Sequence, residues 1–74
     1  MRSEAADEFL LMGLRLAEGI DLERYTAFAG IPLAPAQIAF LAARDLIETT
    51  AEGRLRVTAQ GFPVLDAIVA DLAA

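Results

Sequence analysis

Leu46-Ile47-Glu48-Thr49-Thr50-Ala51-Glu52-Gly53-Arg54-Leu55-Arg56-Val57-Thr58 decides how the rest of the chain is read. Residues 46–50 and 54–58 are two short β-prone runs, and Ala51-Glu52-Gly53 between them is a turn whose glycine supplies a positive φ. Leu55 and Val57 alternate with Arg54 and Arg56, so one face of the hairpin is buried and the other is wet. Glu48 or Glu52 is placed to pair with these arginines, each such surface pair being worth ~0.2–1 kcal/mol. One hairpin cannot stand alone in water. The flanking sequence must cover it.

That flanking sequence is helical. Glu4 to Gly19 reads as the first helix, with Ser3 as its N-cap and Glu4, Asp7 and Glu8 in the opening turns, where the helix dipole favours acids. At 100° per residue, Phe9, Gly13, Leu16 and Ile20 fall together, with Leu10, Leu14 and Ala17 beside them and Met12 on the far edge. The apolar arc is roughly 200° wide, twice what a surface helix needs. Leu11 sits on the opposite side among Glu8, Arg15 and Glu18. Such a helix is either the central helix of a compact bundle or one that also faces something outside the chain, and the few elements of so short a domain favour the second.

Asp21 opens the second helix as N-cap, with Ile20 positioned to staple onto Tyr25. Leu22, Tyr25, Phe28 and Ala29 form its inward face, and Gly30 stops it. Pro35 suits the first turn of a third helix, which runs to about Asp45 with Ile38, Leu41 and Ala42 inward. After the hairpin, Thr58 caps a last helix carrying Phe62, Leu65, Ile68, Val69 and Leu72 on one stripe, and Pro63 fits only near its start. The fold expected is mainly α with a small β-hairpin. It is winged-helix-like, with three helices, a hairpin wing and a C-terminal helix, and residues 1–74 form a single domain.

Composition narrows the function. The 74 residues contain neither cysteine nor histidine. Disulfides, thiolate metal sites and the commonest general base are therefore excluded. Ser3 is the only serine and has neither histidine nor lysine to serve as its base. No glycine-rich phosphate loop occurs. The chain by itself is expected not to be an enzyme and to hold no cofactor. Six arginines against eleven acids give a net charge of −5, which disfavours both nucleic acid and an anionic membrane surface. The third helix, where a DNA reader would sit, presents Ala36, Phe40, Ala43 and Arg44 outward, with Gln37 nearby. That is too little for base readout. Phe40 beside Arg44 reads instead as a protein-contact patch, or as a side chain covered by the wing or the last helix. No signal peptide or membrane span is evident, and a cytoplasmic location is expected.

The run Glu8-Phe9-Leu10-Leu11-Met12-Gly13-Leu14-Arg15-Leu16-Ala17-Glu18-Gly19 resembles the opening of the C-terminal domain of oxygen-independent coproporphyrinogen III oxidase and its haem-chaperone-like relatives. The pattern E-x-x-x-x-G-L-R-L-x-x-G carries the likeness. It continues through Ile20-Asp21-Leu22-Glu23-Arg24-Tyr25, Phe40 to Glu48, and Arg54-Leu55-Arg56-Val57-Thr58 with Gly61. Ala59 departs from the proline that relatives often carry there.

The resemblance implies a cap domain of a cytoplasmic radical S-adenosylmethionine protein of porphyrin or haem biosynthesis, either an oxidoreductase or a haem carrier. The parent would hold a 4Fe-4S cluster and S-adenosylmethionine in a barrel domain of the same polypeptide, since the Cys-x3-Cys-x2-Cys ligands have no counterpart here. The expected interdomain contacts are Leu11, Met12, Arg15, Phe40 and Arg44. Arg15 would meet a barrel carboxylate or a substrate propionate, unless it pairs with Glu8 or Glu18. A dimer of the isolated domain through its uncovered face is a further expectation. The alternative is a freestanding winged-helix adaptor for another protein, with DNA binding as a third reading.

Overall fold

The computed structural model describes residues 4–73; Ser3, the expected N-cap, lies outside them. The elements run α1 (Glu4–Leu14), β1 (Ile20–Asp21), α2 (Leu22–Ala29), α3 (Pro35–Ala42), β2 (Ile47–Thr49), β3 (Arg54–Val57), a 3-10 turn (Phe62–Val64) and α4 (Leu65–Ala73). The chain is thus mainly helical with one small antiparallel sheet, as the sequence predicts.

The sheet has one strand more than predicted. β3 lies in the middle, with β2 on one side and the two-residue β1 on the other. Ile20 and Asp21 pair with Leu55 and Arg54, while Ile47, Glu48 and Thr49 pair with Val57, Arg56 and Leu55. The hairpin closes through Thr50, whose carbonyl accepts from Gly53 N and whose amide donates to Arg54 O. Gly53 has the positive φ (81°) expected of it. Across the wing, Arg56 pairs with Glu48 rather than with Glu52.

α1 stops at Leu14, five residues before Gly19. Two turns follow, closed by Leu16 N to Gly13 O and by Gly19 N to Leu16 O. The cause is β1. To bring Ile20 beside Leu55, the chain must leave the helix axis, and it does so by packing backbone on backbone. A Cβ on Gly19 would lie 2.0 Å from the Leu55 carbonyl oxygen, and one on Gly13 would lie 2.1 Å from Cγ2 of Ile20. Gly19 also has φ 71°, which only glycine adopts freely.

This early stop re-centres the buried face of α1 on Ala6, Leu10 and Leu14, and it leaves Leu16 exposed beyond the helix. Part of the width of the apolar arc therefore came from residues that are not helical.

The other ends follow local chemistry. Asp21 caps α2, its Oδ1 accepting from Glu23 N and Arg24 N, and Gly30 ends that helix in the left-handed region. α3 begins with Pro35 and ends at Ala42. The chain then closes as a Schellman motif, with Asp45 N donating to Ala42 O and Leu46 N to Leu41 O. Asp45 takes the left-handed position (φ 60°) that is more often glycine's.

Thr58 does not cap α4 directly. Its hydroxyl donates to the Asp45 carbonyl and accepts from Gly61 N, so it closes the turn before Phe62–Val64, where Pro63 sits. The core gathers Ala6, Leu10, Leu14, Ile20, Tyr25, Leu33, Leu41, Ile47, Leu55, Leu65, Ile68 and Leu72. Phe28 and Phe62, expected inside, are largely exposed. Phe28 instead stacks on Phe9 with ring centroids 5.3 Å apart.

Candidate functional site

The loop of residues 15–19 between α1 and β1 is held from below by Arg54. Its Nε donates to the Glu18 carbonyl at 2.9 Å, and its Nη2 donates to the Gly19 carbonyl at 3.0 Å. With Gly19 lodged against Leu55, the loop is pinned to the central strand at two adjacent residues. Arg15 and Leu16 are exposed residues of this loop.

Beside that loop lies an open groove of about 690 Å³, walled by Leu14 to Ala17, by Val57 to Ala59 with Glu48 and Arg56, and by Phe62. Arg15 and Phe62 also line its continuation along Pro63–Ala67 at the start of α4. Leu16 is 58% exposed and Phe62 52%. Bulky apolar side chains at that exposure mark a contact surface when they line one depression.

The cations there differ in kind. Arg56 is engaged with Glu48. Arg15 makes no hydrogen bond or ion pair among the described residues, with Glu8 and Glu18 included among those it does not meet. The groove therefore offers one guanidinium with its full set of donors unspent, next to an apolar floor.

The five residues singled out from sequence do not converge on one surface. Arg15 lines the groove just described. Met12 is 68% exposed but belongs to a different groove with Phe9, Arg24 and Arg54. Leu11 packs partly against the chain's own core and edges a third depression with Val69, Glu4, Asp7 and Glu8. Phe40 and Arg44 lie together on α3, where the guanidinium sits 3.6 Å from the ring centroid and Arg44 Nη1 donates to the Phe40 carbonyl. That contact partly covers Phe40 and uses its neighbour's charge locally.

Helical periodicity assigns Leu16 and Phe62 to buried stripes, so it does not single them out as site residues. The available signals were Gly19, which ends the regular chain path, and Pro63, which forces a turn before α4.

The sequence contains no cysteine, and among the described residues no group of three His, Cys, Asp or Glu side chains could hold a metal ion. These residues do not fit a 4Fe-4S cluster, whose ligands are thiolates. Among the described residues no helix is long and apolar enough to cross a membrane.

The sequence model of the family described as the HemN C-terminal domain matches residues 2–64, most of the chain. No curated protein and no solved structure matches it.

Proposed function

The chain belongs to the HemN C-terminal domain family, and from that premise we propose that it is a winged-helix-like, non-catalytic accessory domain. It docks on the radical S-adenosylmethionine barrel of the same polypeptide in a cytoplasmic protein of porphyrin or haem metabolism. The cluster and the cofactor belong to that barrel. The order helix, strand, helix, helix, hairpin, helix supports the winged-helix description.

The observation that carries the docking reading is Arg15, unpaired among the described residues, in the lining of the Leu16–Val57–Phe62 groove. Burying Leu16 and Phe62 against a partner would remove apolar surface from water at ~25 cal/mol per Å². Arg15 would meet a carboxylate there, and a charge-assisted, two-pronged bond would fix the register. Of the residues expected from sequence, Arg15 thus keeps the central place. Met12, Leu11, Phe40 and Arg44 lie on other surfaces and act outside this contact.

The test is amide hydrogen exchange on the full-length polypeptide and on this domain alone. Residues 15–17 and 57–62 are expected to be protected only in the full-length protein. Arg15→Glu should remove that protection while the isolated domain keeps its unfolding midpoint. Equal exchange of these segments in both forms would rule the docking reading out.

A further inference from the structure

The groove that contains Met12 shares none of its lining with the Arg15 groove. It holds about 250 Å³ between Phe9, Met12, Ile20, Asp21, Arg24 and Arg54. Phe9 in its apolar wall is held in place by its neighbours, stacking on the exposed Phe28 and meeting the buried Tyr25 edge-on at 6.0 Å. Met12, at the mouth, is an adaptable side chain suited to irregular apolar partners.

The charge of this groove is opposite to that of the chain. Arg24 has no side-chain partner among the described residues. Arg54 spends Nε and Nη2 on two carbonyls and keeps Nη1 unbonded among the described residues. The one carboxylate present, Asp21, has Oδ1 committed to two backbone amides at the start of α2. Two cations against one acid leave a local positive charge in a chain of net −5. The groove beside Leu11 and Val69 carries Glu4, Asp7 and Glu8 instead.

The backbone limits what fits. Ile20 and Asp21 are the outer strand of the sheet, and two residues admit at most one or two strand-addition hydrogen bonds. Side chains must carry the affinity. A nucleic-acid backbone would satisfy the arginines but leave Met12 and Phe9 without an apolar partner.

We infer that this groove binds an extended segment of another protein in which acidic residues flank an apolar one. The apolar side chain seats between Met12 and Phe9, and the carboxylates meet Arg24 and Arg54. This inference stands apart from the docking of the Arg15 groove.

The experiment titrates the domain into a short fluorescein-labelled peptide of alternating leucine and glutamate, followed by anisotropy. Saturable binding is expected, weakened about fivefold by Arg24→Glu, less by Arg24→Gln, and left unchanged by Arg15→Glu. Met12→Ser should weaken it as well, and amide shifts should gather at Met12, Ile20 and Arg24. Both substituted side chains are exposed, so neither change threatens the core. Four results would overturn the inference. They are absence of saturable binding, equal affinity for the peptide with lysine in place of glutamate, a larger effect of Arg15→Glu than of Arg24→Glu, or displacement by a short oligothymidine.

Discussion

Gly13 shows how a single hydrogen in place of a methyl group sets the path of the chain. In an exposed helix, Gly→Ala gains ~0.5–1 kcal/mol. Here the added Cβ would meet Cγ2 of buried, stiff Ile20 at 2.1 Å. Overpacking of that kind costs ~1–3 kcal/mol, which exceeds the gain. Gly13→Ala is therefore expected to lower the urea unfolding free energy by about 1–2 kcal/mol. Adding Ile20→Ala to it should cost less than the two single changes summed. Strict additivity in that double-mutant cycle would show that the two residues do not collide.

Tyr25 makes the opposite case. It is fully buried, and its hydroxyl has no hydrogen-bond partner among the described residues. A desolvated, unsatisfied polar group costs ~1–3 kcal/mol. Tyr25→Phe should leave stability unchanged or raise it by up to about 1 kcal/mol in the same titration. A loss of that size would reveal a partner for the hydroxyl.

Among the elements, the connection between α1 and β1 depends most on contacts distant in sequence. Arg54 lies 35 positions from Gly19, yet its guanidinium fixes the two carbonyls that end the loop. Hydrogen bonds to a charged donor are worth ~1.5–3 kcal/mol each when buried, and less at a half-exposed site such as this. Arg54→Gln is expected to cost about 1 kcal/mol overall and to speed amide exchange at residues 16–20. Exchange in α4 should stay slow, because Leu65, Ile68 and Leu72 hold that helix independently of the loop. Loss of protection throughout α4 would mean that Arg54 supports the whole fold and not the loop.

The hairpin and α2, by contrast, were legible from local signals. Gly53, Asp21 and Gly30 each act on neighbours a few residues away, so their chemistry is written in consecutive positions. β1 was not legible. A two-residue strand has no period of its own and exists only because Leu55 and Arg54 offer it an edge.

For the molecule as a whole, sign and distribution of charge govern what approaches it. Eleven acids against six arginines repel a duplex at long range. Of those arginines, Arg44, Arg54 and Arg56 have internal partners. Too few remain to neutralise a row of phosphates, and log-log salt slopes scale with that number. A fluorescent duplex titrated at low salt is expected to show no saturable binding. Saturation with a steep salt dependence would overturn that expectation.

By itself, the sequence determined the helical class, the hairpin, the caps of α2, the absence of thiolate chemistry and the family. All of these depend on residue type or on spacing within one element. The tertiary structure decided where α1 stops, that β1 exists, that Leu16 and Phe62 are exposed, and that Met12 and Arg15 face separate grooves. The turn at Pro63 sets the exposure of Phe62, and the rest follows from the approach of the 15–20 segment to β3. Periodicity within one helix is blind to the strand that will later interrupt it.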